Sequence, residues 1–342
     1  MSVLQIDLHA LDAARQHQNR LTKPQGALGR LEDVACWFAA RQGQAIPDPL
    51  KAHITVFAGD HGVVAEGVSA FPSVVTGEMV KNFATGGAAI NVLARQCGAT
   101  LRVVDVGVCS DLSVVQGVVH AKVRAGTGNI VHEAAMTAAE CLQAMRVGEK
   151  QAEEAIAAGA NLLIAGDMGI GNTTPSAALI CELGLLAPER VVGRGTGVDD
   201  AGYQLKLKAV RQALQRARNC PMDDVLCELG GLEIAAMAGF YRAAARMGVP
   251  VLLDGFISTA AALAAVAWDA RVAGWMLASH VSQEQGHRLA LEALSLEPLV
   301  NFELRLGEGS GAALVVPLLQ SALALHREMA TFESAGVTDK DG

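Results

Sequence analysis

Residues 53–62 read HITVFAGDHG, an apolar, β-branched run that closes on glycine, aspartate and histidine. A short continuous run of this kind fits a strand buried on both faces, and the closing residues fit the polar turn after it. The same shape recurs in TLRVVDVGV (100–108), NLLIAGDMGIG (161–171), VPVLLDGFIST (249–259) and RVAGWMLASH (271–280). Between these runs, residues 134–158, 201–218 and 230–247 carry helical spacing. Strand, helix and strand in repetition predict an α/β fold, a parallel sheet with helices on both faces.

The predicted strands end alike: Asp60 and His61, Asp105, Asp167, Asp254, Ser279 and His280. Ligands of open parallel sheets bind beyond the carboxyl ends of the strands. Glycine and aspartate are also good turn formers, which explains any one of these ends. Five such ends together favour a shared cleft.

The 342 residues are 51% hydrophobic, 18% charged and 4% aromatic. Abundant alanine and glycine with few aromatics predict helix-rich packing with close backbone contacts. A net charge of −8 argues against a nucleic-acid partner, which calls for basic grooves and stacking platforms. The seven cysteines (36, 97, 109, 141, 181, 220 and 227) are odd in number and contain no CxxC pair. They read as buried free thiols in a reducing compartment rather than a disulfide framework or structural zinc site. The first twenty residues lack a charged start followed by an apolar run, and the apolar stretch at 259–268 stops at Asp269. The expectation is a cytoplasmic protein with no membrane partner.

The chain ends differ from the middle. Residues 1–22 and 312–331 read as amphipathic helices, with Pro317 near a helix start or at a kink. They are expected to pack together as a small helical domain, 1–29 with 312–342, beside a large α/β domain over 30–311. The tail ESAGVTDKDG (333–342) is expected to fray.

Three glycine-rich segments carry the chemistry. In GDMGIGNTTPSAA (166–178) a buried strand enters a glycine turn, Thr173 or Thr174 is placed to cap a helix, and Pro175 fits its first turn. Backbone N–H groups at such a helix start form an anion cradle, with phosphate the expected anion; an ordinary capped helix reads the same way. The segment is neither a P-loop nor a dinucleotide fingerprint. In LRLGEGSGAALVV (304–316), Glu308 stands between Gly307 and Gly309, open to a flat ring, or else in a solvated loop. Apolar neighbours would raise its pKa and a helix N-terminus would lower it, and the sequence leaves both open. In GRGTGVDDAGYQLK (193–206), Asp199 or Asp200 caps a helix that carries Lys206, either near an acid or phosphate or simply solvated. His53, His61, His280 and His287, with Asp60, raise a metal reading, but no two have a recognised ligand spacing on one helix.

Together the motifs form a pattern. LTKPQGALGRLE (21–32), FAGDHGV (57–63), EGVSAFPSVVT (66–76), GGAAINVLAR (86–95), GDMGIGNTT (166–174), GRGTGVDD (193–200) and RLGEGSGA (305–312) occur in this order. Over about residues 20–318 the chain resembles the nicotinate-nucleotide–dimethylbenzimidazole phosphoribosyltransferase family of the cobalamin lower-ligand pathway. The resemblance implies a Rossmann-like large domain, a small helical domain from both termini, and a homodimer. It implies transfer of 5-phosphoribose from nicotinate mononucleotide to 5,6-dimethylbenzimidazole, giving α-ribazole 5′-phosphate and nicotinate. It places Glu308 on the catalytic glutamate, Asp167 and Lys206 in support, and Gly169, Gly171, Asn172, Thr173 and Thr174 on the phosphate-binding turn, with Gly195 nearby. Ser69, Glu78 and Leu306 fall in segments lining the base pocket. Two positions depart from the pattern: Asp167 stands where the family has Glu, and Glu78 where an amide is expected. No cofactor or metal is implied.

Two rival classes share parts of this pattern. A nicotinamide-dependent dehydrogenase would have the same sheet, but no GxGxxG follows the first strand. A non-catalytic nucleotide-binding module would bind the mononucleotide without turning it over, and gives no reason for Glu308 in its glycine frame. Within the enzyme reading, adenine, another benzimidazole or a phenol remains open as acceptor.

Overall fold

The unbroken apolar run at 54–59 forms the central strand of a parallel sheet, buried at every position. In chain order the strands are β1 (Ala52–Gly59), β2 (Thr100–Gly107), β3 (Val118–His120), β4 (Leu162–Met168), β5 (Val251–Leu253), β6 (Met276–His280) and β7 (Pro298–Val300). The structure, a computed structural model, describes residues 2–195 and 197–338. Among these the sheet runs β3-β2-β1-β4-β5-β6-β7, with every pairing parallel. The chain moves outward from β1 to β3, then returns to β1's other side with β4 and moves outward again. The order therefore reverses between β1 and β4, and ligands of such sheets bind beyond the carboxyl ends of the strands.

Side-chain alternation divides β1 between two cores. Phe57 faces one with Tyr241 and Phe240, while Ile54, Val56 and Ala58 face the other with Val315 and Val316. On the Phe57 side, helices Ala138–Ala157 and Leu232–Met247 pack almost backbone to backbone. A Cβ at Gly148 would stand 1.7 Å from the Ala236 carbonyl oxygen. The alanine- and glycine-rich composition thus finds its use in close helix contact.

Several boundaries differ from the sequence reading. Residues 249–259 hold only the three-residue β5, because the chain turns into helix Phe256–Trp268 at the strand's polar end. In 271–280 only Met276–His280 is strand, after a 3₁₀ segment, Ala270–Trp275. The short edge strands β3 and β7 have too few residues to show a period. The three internal helices settle at Ala138–Ala157, Asp200–Ala217 and Leu232–Met247.

At the chain ends, helix Leu8–Arg20 is capped by Asp7 and lies beside helix Arg30–Gln42. Helix Ser310–Glu328 crosses residue 311 and packs Ala312, Val315 and Val316 in the sheet core, with Pro317 accommodated inside it. Its far end reaches the N-terminal segment. Gln18 Nε2 donates to His326 Nδ1 at 2.7 Å, and Leu21 bridges Thr331 in antiparallel fashion. The tail holds a turn of helix, Phe332–Ala335, capped by Thr331, where fraying was expected. Its last four residues, 339–342, lie outside the described residues, as does Thr196 of the GRGTG loop. All seven cysteines are free; Cys109 is exposed and Cys220 half-buried, against the expectation of burial for all. Among the described residues no helix is long and apolar enough to cross a membrane.

Candidate functional site

A crevice beyond the carboxyl ends of β4, β5 and β6 is lined by Asp167, Asn172, Thr173 and Gly195 on one side. Gly255, Phe256, Ile257, His280, Ser282, Glu284 and the Arg305–Gly307 loop line the other. Polar strand ends thus converge in part. Asp167 and His280 reach the crevice, whereas Asp60 and Asp105 both serve the loop after β2, accepting from the Cys109 and Val108 amides at 2.8 and 2.9 Å.

Glu308 follows the lining loop directly and is 5% exposed, not in a solvated loop. Gly307, Glu308 and Gly309 all take left-handed backbone, with φ of 81°, 65° and 84°. Glutamate rarely adopts this conformation, so the loop needs firm anchors. Asp254 supplies them: its two carboxylate oxygens accept from Gly309 N at 3.2 Å and Ala312 N at 2.9 Å. Asp254 is thereby also bound to the start of helix Ser310–Glu328. Burial raises its pKa, and His280 and these amides work against that rise.

Both influences left open for the Glu308 carboxyl are present. Burial raises its pKa to about 7, the Ile90 N–H at the start of helix Ala89–Cys97 opposes the rise, and Asp254 adds to it. Its Oε2 is buried without a partner. Glu308 therefore exchanges a proton near neutrality, as a general base requires.

Asp167 is 6% exposed and accepts from Asn172 Nδ2 at 2.9 Å. Burial first, then the charges of Asp254 and Glu233, push its pKa up to about 8.

The 166–174 segment folds as a tight turn. Asn172, rather than Thr173 or Thr174, is the cap residue of helix Thr173–Gly184, and its side chain is turned to Asp167 instead of the helix amides. Several turn amides are already used: Ile170 N donates to Thr76 Oγ1, Asn172 N to the Gly169 carbonyl and Thr174 N to the Gly171 carbonyl. The cationic component comes from elsewhere. Lys206, on helix Asp200–Ala217, is 1% exposed and donates from Nζ to Thr173 Oγ1 at 2.6 Å. It is not the solvated lysine that its helix position allows. Burial pulls its pKa down to about 8, with Glu284 opposing. Gly195 lies against this pair, where a Cβ would stand 2.8 Å from both Lys206 Nζ and Thr173 Oγ1. Asn172, Thr173, Gly195 and Lys206 thus come together, whereas Thr174 is fully buried behind them. Asp199 caps the Lys206 helix, accepting from Gly202 N at 2.8 Å.

Leu306 lines the crevice and is 58% exposed. Glu78 is exposed on helix Val74–Thr85, and half-buried Ser69 accepts from the Phe71 amide at 3.2 Å. Neither is among the residues lining this crevice.

The histidines have other work. His53 lies at the opposite end of β1 and contacts Thr100 Oγ1 at 2.6 Å. His287 Nδ1 accepts from the Ser282 amide at 2.7 Å, and its Nε2 contacts Thr259 Oγ1. His61 Nε2 lies 2.6 Å from Glu233 Oε1. Among the described residues no three His, Cys, Asp or Glu side chains are grouped to hold a metal ion. Asp254 was named from sequence only as a polar strand end, and Glu233 and Glu284 were not singled out, since neither carries a local signal.

A phosphoribosyltransferase family model matches residues 3–337. The chain is 61% identical over 337 residues to the nicotinate-nucleotide–dimethylbenzimidazole phosphoribosyltransferase of Chromobacterium violaceum, covering 98% of each chain. It is 51% identical over 329 residues to the Pseudomonas aeruginosa protein of the same name, covering 96% of this chain and 94% of that one. A crystal structure of the Thermus thermophilus enzyme of that name superposes with a TM-score of 0.93 at 46% identity, covering 98% of this chain and all of that one.

Proposed function

We infer the function from one premise: this chain belongs to the nicotinate-nucleotide–dimethylbenzimidazole phosphoribosyltransferase family. It transfers the 5-phosphoribosyl group of nicotinate mononucleotide to 5,6-dimethylbenzimidazole, releasing nicotinate and α-ribazole 5′-phosphate for cobalamin lower-ligand assembly. The observation that carries the reading is Glu308, a nearly buried carboxyl with a pKa of about 7, fixed in a left-handed loop beside the crevice.

The chemistry calls for one base. The glycosidic nitrogen of nicotinate mononucleotide is already cationic, so nicotinate leaves without an acid. Dimethylbenzimidazole attacks C1′ through the nitrogen with a free lone pair, and the ring becomes cationic unless the proton on its other nitrogen departs. Glu308 takes that proton, a contribution of roughly 10²–10⁴-fold. Lys206 and Thr173, with Gly195 and the turn Gly169–Thr174, hold the 5′-phosphate at the start of helix Thr173–Gly184. Anchoring the phosphate there holds C1′ in line between the two rings. Glu308, once deprotonated, favours the cationic ring and the positive charge that develops at C1′, whereas Asp167, raised to about 8, remains protonated near neutrality. Leu306, Ser69 and Glu78 are assigned to the base pocket. The protein acts as a cytoplasmic homodimer, with the helices of 1–29 and 312–342 forming a small domain on the larger one.

The test is to mix the purified protein with nicotinate mononucleotide and dimethylbenzimidazole and follow products by chromatography with mass detection. Nicotinate and a ribazole phosphate of inverted, α configuration are expected. A β product would overturn direct displacement. A folded protein that binds the mononucleotide and forms no product would overturn the transfer reading.

A further inference from the structure

Directly beneath the glycine turn lies a buried histidine–glutamate contact that the chemistry above does not use. His61, just past β1, and Glu233, in the first turn of helix Leu232–Met247, meet at 2.6 Å with side chains 1% and 0% exposed. Their outer atoms, His61 Nδ1 and Glu233 Oε2, are buried with no partner. A buried pair that satisfies only one contact offsets its desolvation poorly, so its contribution to stability is weak evidence for its presence.

What surrounds the pair is backbone. A Cβ at Gly169 would stand 2.3 Å from the Gly59 carbonyl oxygen, 3.2 Å from His61 Nε2 and 3.4 Å from Glu233 Oε1. One at Gly231 would stand 2.5 Å from His61 Cε1 and 2.7 Å from Glu233 Oε2. A Cβ at Gly171 would meet His61 Cβ at 3.8 Å, and one at Gly59 would meet Glu233 Oε2 at 3.1 Å. Three glycine-bearing segments, at the ends of β1 and β4 and at a helix start, therefore rest on this one contact.

We propose that the His61–Glu233 pair is a positioning device that fixes the height of the Gly169–Asn172 turn, and so the seat of the substrate's phosphate. The proposal rests on the phosphate-cradle reading of that turn. The pair touches no substrate. Its contact sets how far the turn stands above the ends of β1 and β4, and hence where Thr173 meets Lys206. Removing one partner leaves the other buried and uncompensated, and the turn shifts or admits water.

The test compares the binding of nicotinate mononucleotide and its phosphate-free riboside by calorimetry in wild type, His61→Leu, Glu233→Leu and Glu233→Gln. Both leucine variants are expected to raise the Kd of the mononucleotide by about tenfold or more, as for a small misplacement of a binding group. The riboside's Kd stays within about twofold, the change expected when no phosphate contact is at stake. Glu233→Gln keeps the hydrogen bond and is expected to restore most mononucleotide affinity. Equal losses for both ligands, or no loss for either, would overturn the positioning role. If His61→Leu does not fold, His61→Asn, which shortens the reach but stays polar, is read by the same ratio. Because binding is the readout, a wild-type protein that forms no product overturns only the transfer reading. One that binds the riboside as tightly as the mononucleotide overturns the cradle and the pair's role together.

Discussion

The main chain of Glu308 crosses directly over Gly166 of β4, so that a Cβ on Gly166 would stand 2.3 Å from both the carbonyl carbon and oxygen of Glu308. The candidate base is thus seated on the strand that leads into the anion turn, and the two halves of the site share one backbone contact. Gly166→Ala forces the Glu308 loop away from β4. Turnover is expected to fall by roughly 10²-fold, in line with a 1 Å displacement of a reacting group. Steady-state kinetics beside a thermal melt checks this; an alanine variant with wild-type turnover would show that the contact does not hold the base.

Glu308→Gln keeps the shape of the side chain and removes its basicity. Turnover is expected to drop about 10²- to 10⁴-fold while mononucleotide affinity is kept. The wild-type kcat/KM should rise with pH through about 7, because burial raises the carboxyl to that value and the base acts only when deprotonated. A pH profile in which the glutamine variant retains that acidic limb would assign the limb to another group.

Lys206 controls the opposite limb. Burial pulls its pKa down to about 8, so in the free protein it loses its charge, and its attraction for phosphate, as pH rises past that value. The expected kcat/KM profile falls above about 8. Lys206→Met is expected to raise KM for the mononucleotide roughly 10- to 100-fold, the loss of one charge-assisted hydrogen bond, and to abolish the alkaline fall. An unchanged KM would place the phosphate elsewhere.

Much of this arrangement was legible in local pattern. The run at 54–59 announces a buried central strand because every position is apolar, β-branched or glycine. β5 and β7 hold three residues each, too few for a period, and the glycines and helix formers beside them dominate the pattern. The burial of Lys206 was not legible, since its position on an amphipathic helix is read equally well by solvent and by Thr173. The sign of the Glu308 shift required a count of what surrounds it. One amide from Ile90 opposes burial there, and Ile90 is more than two hundred positions away in the chain. The His61–Glu233 contact joins residues 172 apart and carries no local signal.

Asp167 supplies a test that reads folding rather than turnover. Its carboxyl moves from about 3.9 in the unfolded chain to about 8 in the folded one. Between these values the folded state holds a proton that the unfolded state has released. The stability it contributes is therefore complete below about pH 4 and is lost as pH rises through about 8. Asp167→Asn remains neutral throughout, and its amide oxygen still accepts from Asn172 Nδ2. The variant is expected to gain stability over wild type as pH rises from 4 to 8, by on the order of 1 kcal/mol per pH unit at most. Urea midpoints of both proteins across that range give the difference directly, which cancels the contribution of Glu308, of the same sign up to about pH 7. If the two curves stay parallel, Asp167 is ionised in the folded protein, and the negative charge meeting the substrate's cationic ring is already in place before binding.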